Sequence, residues 1–409
     1  MASSPGQRDN TVSIILMCLG NFLFWGAMYV YVPVLSLYAQ HLGASMSLVG
    51  LVVGAYGFTQ LLLRIPVGVL SDRSGRCKPF IVAGFAAGAV GCLGLALSPN
   101  AWFLALFRGV LGVGCTGWVT TTVLFASYFP ARRAAQAMGI ISFAGASAQL
   151  LVLLTGGKLA QEFGWQAPFL TGAAMAALGT LCVAGVRDTR KRGPGLPPLR
   201  RLRRVMLAPG VLSISLIGAL LQYVIFATIY SFTPIYAEGL GASKTQVGLL
   251  LTAAVAPHVV FTLVAGALSA RVGEKCILAL GLGILALATL FTPLVHTVSL
   301  LAVLQLASGA GRGLVFPTLM ALTITGVKRR DQATAMGIFQ AVYAVGMFGG
   351  PILAGVVADA VGLAGVFFST GAVSLLAMGL AVLAIGSETQ LRAKDKLAYE
   401  QIMTNPDKE

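Results

Sequence analysis

Three arginines lie inside long apolar stretches of this chain: Arg64, Arg108 and Arg312. A guanidinium keeps its charge at any ordinary pH and costs about 3 kcal/mol or more in hydrocarbon, so each must reach water, carbonyl oxygens or an anion. Arg64 precedes a basic break by about two turns and can snorkel to the surface along its own stem. Arg108 lies toward the opposite end of its stretch. Arg312 falls near the middle of its own, among Gly309, Gly311 and Gly313, with no acid in the same segment. That placement makes Arg312 the leading candidate for holding an anionic group, against the plainer reading of a structural arginine that caps carbonyls.

A second pattern joins an amide to two aromatics. Asn21, Trp25 and Tyr29 fall at i, i+4 and i+8 on one helix face, and Gln222, Phe226 and Tyr230 repeat that face later in the chain. Facing a cavity, such a stripe can hydrogen-bond and stack on a small organic solute; facing elsewhere, it packs against neighbours or lipid. His258, the one near-neutral titrating group within an apolar stretch, is a candidate proton site, weighed against a histidine that is simply packed. Every acid can be placed outside the hydrocarbon, so carboxylate relay chemistry is not visible. The acids and the three histidines are too scattered for a catalytic or metal-binding cluster, and no cofactor, metal or ATP-binding motif is expected.

Helices that cross lipid must position these residues. Apolar residues make up 57% of the 409 and charged residues 10%, too few ionic groups to solvate a water-soluble globule of this size. A hydrocarbon core of roughly 30 Å takes about 20 apolar residues of helix to cross. Such stretches fall near 12–36, 47–71, 79–98, 101–127, 135–158, 165–186, 210–237, 245–269, 276–295, 298–325, 333–358 and 363–386. The expected fold is an all-α integral membrane protein of twelve transmembrane helices.

The net charge of +15 reflects orientation rather than a nucleic-acid partner. Basic residues crowd one side: Arg8; Arg73, Arg76 and Lys78; Arg132 and Arg133; Arg187 to Arg204; Arg271 and Lys275; and Lys328 to Arg330. The other side holds Lys158 and Lys244. The positive-inside rule then expects both termini in the cytoplasm of a cell-membrane protein, with anionic lipid as a neighbour. The six cysteines show no ligand spacing and are expected as free thiols. The weakly basic N-terminus lacks a cleavage signal, so the first span is expected to stay.

The chain also repeats itself. Leu42-Gly43-Ala44-Ser45 returns as Leu240-Gly241-Ala242-Ser243, Gly68-Val69-Leu70-Ser71 as Gly266-Ala267-Leu268-Ser269, and Ala137-Met138-Gly139-Ile140 as Ala335-Met336-Gly337-Ile338, all at a spacing of 198. Before these the spacing is 201, pairing Pro33 with Pro234 and Tyr29 with Tyr230. The expected organisation is a cytoplasmic N-terminus (1–11), a six-helix bundle (12–186), a basic linker (187–209), a second six-helix bundle (210–386) and a cytoplasmic tail (387–409).

Two parallel six-span repeats with a basic centre resemble the major facilitator superfamily. Gly68-Val69-Leu70-Ser71-Asp72-Arg73-Ser74-Gly75-Arg76-Cys77-Lys78 resembles that family's signature loop, with Cys77 displacing a basic residue. The resemblance implies a conformational latch of Gly68, Asp72, Arg73, Gly75 and Arg76, with Asp72 meeting the start of the eleventh span near residue 333 in one state. Arg108 with Gly112 resembles the family's Arg-x-x-x-Gly element. Gly337, Gly346, Gly350-Pro351 and Gly355 nearly match the spacing of a glycine-proline motif of its antiporters, in the eleventh span rather than the fifth; close helix packing is the preferred explanation. First and seventh spans line the cavity in this family. The substrate contacts expected from these readings together are Asn21, Trp25, Tyr29, Arg108, Gln222, Phe226, Tyr230 and Arg312.

The function expected is secondary transport of a small organic solute, an anion favoured, by a monomer whose bundles rock about a midplane site. Drug or metabolite efflux by antiport, and a transporter-fold sensor that binds without turnover, stay open beside it. An intramembrane enzyme does not fit the scattered polar groups.

Overall fold

The computed structural model describes residues 5–130, 133–188, 199–208, 210–325, 327–328 and 331–404, with side chains left aside at 5–9, 72, 134–135, 199, 202, 333 and 385–404. Parts of three expected segments therefore fall outside the described residues: 1–4, residues 189–198 and 209 of the linker, and 405–409. Every regular element among the described residues is helical. Eleven helices are long and apolar enough to cross a membrane: Asn10–His41, Met46–Ser71, Lys78–Ala96, Ala101–Ser127, Gln136–Phe163, Ala167–Ala184, Val211–Gly239, Lys244–Val272, Glu274–Leu294, Val298–Ile324 and Thr334–Ala384. The last of these, 51 residues long, is more than twice what a bilayer needs. Gly362 breaks it, at φ 80° and ψ 177°, a conformation that only glycine takes without strain. Spans eleven (334–361) and twelve (363–384) result, so the chain crosses twelve times.

Proline interrupts spans one and seven at matching places. A proline clashes with the carbonyl four residues before it, at a cost of about 3 kcal/mol in a helix interior. Pro33 and Pro234 thus act on the carbonyls of Tyr29 and Tyr230. The first helix stops at Tyr29 and resumes at Val32–His41. The seventh relaxes into a π-turn over Thr228–Phe232 before Thr233–Gly239. Both breaks fall on the aromatic stripes.

Within the first bundle, span one packs on five and six, three on four and six, and two on four. The second bundle repeats this, with seven on eleven, eight on ten, and nine on ten and twelve. Leucines such as Leu181, Leu263 and Leu383 remain exposed and face outward, where lipid rather than water is the solvent. The bundles meet along two seams, span two against eleven and span five against eight.

Glycines on these seams show where the bundles touch. A Cβ on Gly50 would sit 2.1 Å from the Pro351 carbonyl oxygen, and one on Gly157 would sit 2.0 Å from that of Lys244. Their repeat partners behave alike: Gly248 lies against Leu153 and Gly355 against Met46. Eighteen residues along each helix, five turns at 3.6 residues per turn, stand Gly68, Gly139, Gly266 and Gly337 on the same faces. Among the described residues none of these four has an atom within 4 Å of where its Cβ would be. The seams are therefore closed on the face away from the basic loops and parted on the basic face.

Hydrogen bonds tie the closed face. The Asp359 carboxylate accepts the backbone N–H of Met46 at 3.0 Å and of Ser47 at 2.8 Å, and the Ser47 hydroxyl as well. At the matching place on the other seam, Gln161 Oε1 accepts the backbone N–H of Thr245 at 3.2 Å and its hydroxyl at 2.8 Å. Each contact sets the end of one span over the start of another, where unpaired helix N–H groups favour an acceptor.

Candidate functional site between the bundles

Between the bundles lies a cavity of about 220 Å³. Its lining follows the repeat. Trp25 and Phe226, and Tyr29 and Tyr230, are partners at the 201 spacing, while Gln60 and His258, Trp118 and Phe316, and Gln149 and Met347 are partners at 198. Residues that break the symmetry supply its charge: Arg64 faces the cavity where its partner position has Thr262, and Arg312 does so where the first half has Gly114. Both arginines are buried, and among the described lining residues there is no carboxylate.

Each guanidinium is held by a tyrosine. Arg312 donates to the Tyr230 hydroxyl at 3.3 Å, and Gln149 donates to the same oxygen from the opposite bundle at 3.4 Å. Arg64 donates to the Tyr343 hydroxyl at 3.0 Å across the seam of spans two and eleven. The Nε atoms of both arginines are buried with no protein acceptor among the described residues. Unpaired donors on a fixed positive charge can bind an anion. His258 lines the same cavity, and its Nδ1 is likewise unpartnered among the described residues.

Aromatic side chains roof the cavity toward the closed face. Tyr29 and Tyr230 meet across the bundles with ring centroids 6.2 Å apart, and Tyr56 stacks on Phe226 at 6.3 Å and 15°. Trp25 braces the roof by stacking on Tyr29 at 6.0 Å and meeting Trp118 edge-on at 5.5 Å.

Of the substrate contacts expected from the sequence, Trp25, Tyr29, Gln222, Phe226, Tyr230 and Arg312 line the cavity together. Asn21 does not. Its amide donates 2.9 Å to the Ile141 carbonyl and fastens span one to span five, so the amide of the first stripe is used in packing. Arg108 does not reach the cavity either; it lies behind the aromatic roof, where its Nη1 donates to the Tyr31 hydroxyl. Arg64, expected to snorkel, is instead buried and hydrogen-bonded to Tyr343. Tyr56, Arg64 and Tyr343 carried no repeat signal, since their partner positions hold Ala254, Thr262 and Gly145. Gln60 and Trp118 did carry one, through His258 and Phe316.

The latch residues are only partly placed. Gly75 ends the second helix in the left-handed region at φ 67°, and Arg73 and Arg76 are exposed on the parted face. The side chains of Asp72 and residue 333 lie outside the described residues. Asp188 takes a capping role that the sequence did not announce, accepting the backbone N–H groups of Cys77 and Lys78 at 2.7 and 2.8 Å where span three begins.

Two pseudo-symmetric six-helix bundles around a chamber closed on one face and parted on the other are the architecture of a membrane transporter. The chain belongs to the Major Facilitator Superfamily, whose sequence model matches residues 17–243 and 215–401. It is 32% identical over 177 residues to the Inner membrane transport protein YajR of Escherichia coli K12, a match that covers 43% of this chain and 38% of that protein. A longer match, 24% identical over 390 residues, covers 91% of this chain and 95% of the Multidrug resistance protein MdtG of Escherichia coli SMS-3-5 / SECEC. Among solved structures, a bacterial homolog of the human lysosomal transporter Spinster, in an inward-facing and occupied conformation, superposes with a TM-score of 0.78. That likeness, at 18% identity, covers 94% of this chain and 97% of the other and shows the fold.

Proposed function

We propose that this protein carries a small organic anion across the membrane by alternating access. The observation that carries the reading is a cavity between the bundles with two buried guanidinium groups, Arg64 and Arg312, and no carboxylate among its described lining residues. An anion there gains two charge-assisted partners, whereas an organic cation would meet two like charges in a low dielectric. Stacked aromatics and the amides of Gln60, Gln149 and Gln222 suit a flat, polar-edged carbon frame. At about 220 Å³ the cavity fits a solute smaller than the drug-sized ligands of typical pockets, which are about 300–1,000 Å³.

The bundles rock about this site, closing one pair of seam ends as the other pair parts. With the basic face in the cytoplasm, as the positive-inside rule favours, the present state is inward-open. One chain encloses the whole pathway, so a monomer suffices. The name of the relative MdtG raises drug efflux as a substrate reading, but a cavity of fixed positive charge favours anionic cargo over cationic drugs.

Counterflow in proteoliposomes tests the proposal. Vesicles preloaded with a mixture of aromatic and aliphatic carboxylates should accumulate the matching labelled anion, and Arg312→Gln should abolish that exchange. Unchanged exchange in the variant sinks the role of Arg312, and ligand-dependent thermal stabilisation without exchange identifies a sensor.

A further inference from the structure

The two charges of the large cavity belong to different bundles. Arg64 stands in span two of the first and Arg312 in span ten of the second, and both side chains are buried on the cavity lining. They also lie at different depths. Arg312 donates to Tyr230 of the aromatic roof, on the side of the closed face. Arg64 donates to Tyr343 where the seam of spans two and eleven begins to part. On the closed side of Arg64 a Cβ on Gly57 would lie 2.7 Å from the Phe348 backbone nitrogen, and on its parted side Gly68 meets no described neighbour.

A guanidinium keeps its proton at any ordinary pH, so the cavity carries two fixed positive charges. No carboxylate balances them among the described lining residues, and His258 is negative in neither of its forms. Rocking shut the parted face encloses both charges, where an unpaired ion is costly. A monocarboxylate answers one guanidinium and leaves the other unpaired. Two carboxylates on one molecule answer both, one in each bundle, by charge-assisted hydrogen bonds. Room is sufficient, since about 220 Å³ is many times the roughly 10–15 Å³ that a single water takes on the same measure.

Given the organic-anion carrier proposed above, on which this step rests, we propose that the cargo is a dicarboxylate that bridges the bundles, one acid group on Arg64 and the other on Arg312. Binding at both ends neutralises the cavity and lets the parted face close. The tyrosine hydroxyls hold each guanidinium in place before the cargo arrives.

The test compares acids that share a carbon frame and differ by one carboxylate: butyrate with succinate, hexanoate with adipate, and benzoate with terephthalate. Calorimetric binding to the purified full chain should favour the diacid of at least one pair by about tenfold or more. Arg64→Gln and Arg312→Gln should each bring that diacid down to the affinity of its monoacid partner. Spin labels on the parted ends of spans two and eleven should draw together with the diacid and not with the monoacid, a readout that needs neither arginine variant. Monoacids that bind as tightly as their diacids in every pair, or that close the parted face as well, overturn the proposal. So does a diacid preference that survives either substitution. Exchange of monoacids alone in proteoliposomes overturns it while the anion carrier stands, whereas exchange of none of these acids removes the carrier reading and this one with it.

Discussion

Asp359 and Ser47 lie 312 residues apart in sequence yet share a hydrogen-bonded clasp, in which one carboxylate accepts both the backbone N–H and the hydroxyl of the serine. The repeat places Gln161 against Thr245 in the same relation. One clasp is therefore charged and the other neutral. Asp359 stands near the end of span eleven, on the closed face.

The clasp bridges the bundles and parts when they do. Asp359→Asn removes the charge from the acceptor of the Ser47 N–H and hydroxyl and should therefore favour opening of this face. Asp359 is exposed, so screening limits the change to a few-fold. Spin-label distances between spans two and eleven read the populations; an unaltered distribution in the variant removes Asp359 from gating.

The two glycine quartets give opposite expectations. Valine at Gly50 or Gly157 would drive its side chain into a facing backbone carbonyl, so Gly50→Val and Gly157→Val should hold the presently closed face open. Gly68→Val and Gly139→Val meet no described neighbour in this state and should fold normally while preventing the parted face from closing. Thiol-reagent access to single cysteines on either face separates the two arrests. Equal access in all four variants would contradict the seam geometry.

Removing Arg64 should weaken substrate binding without unfolding the chain. Charge-assisted hydrogen bonds are worth about 1.5–3 kcal/mol, so Arg64→Gln should cost roughly 10- to 100-fold in affinity. Tyr343→Phe removes only the hydroxyl that orients this guanidinium and should cost less. Equilibrium binding of the transported anion provides the comparison, and equal affinities in all three proteins would place the substrate elsewhere.

If His258 exchanges a proton during transport, His258→Gln should flatten the dependence of exchange on pH. A profile that keeps its shape in the variant assigns the histidine to substrate contact alone.

Much of the fold was legible because lipid imposes it. Apolar runs of fixed length, basic residues on one side and a repeat at 198 determine twelve spans and two bundles. The same repeat, followed beyond the aromatic stripes, would also have paired Gln60 with His258 and Trp118 with Phe316. Tertiary structure alone decided the roles of the polar side chains, because a helix face names a direction and not the neighbour it meets. Asn21 had the right face but spent its amide on Ile141. Arg64, Arg108 and Arg312 were all visible as charges within apolar runs, Arg64 as one expected to snorkel. Packing then placed Arg64 and Arg312 in one cavity and put Arg108 behind a wall of aromatic rings.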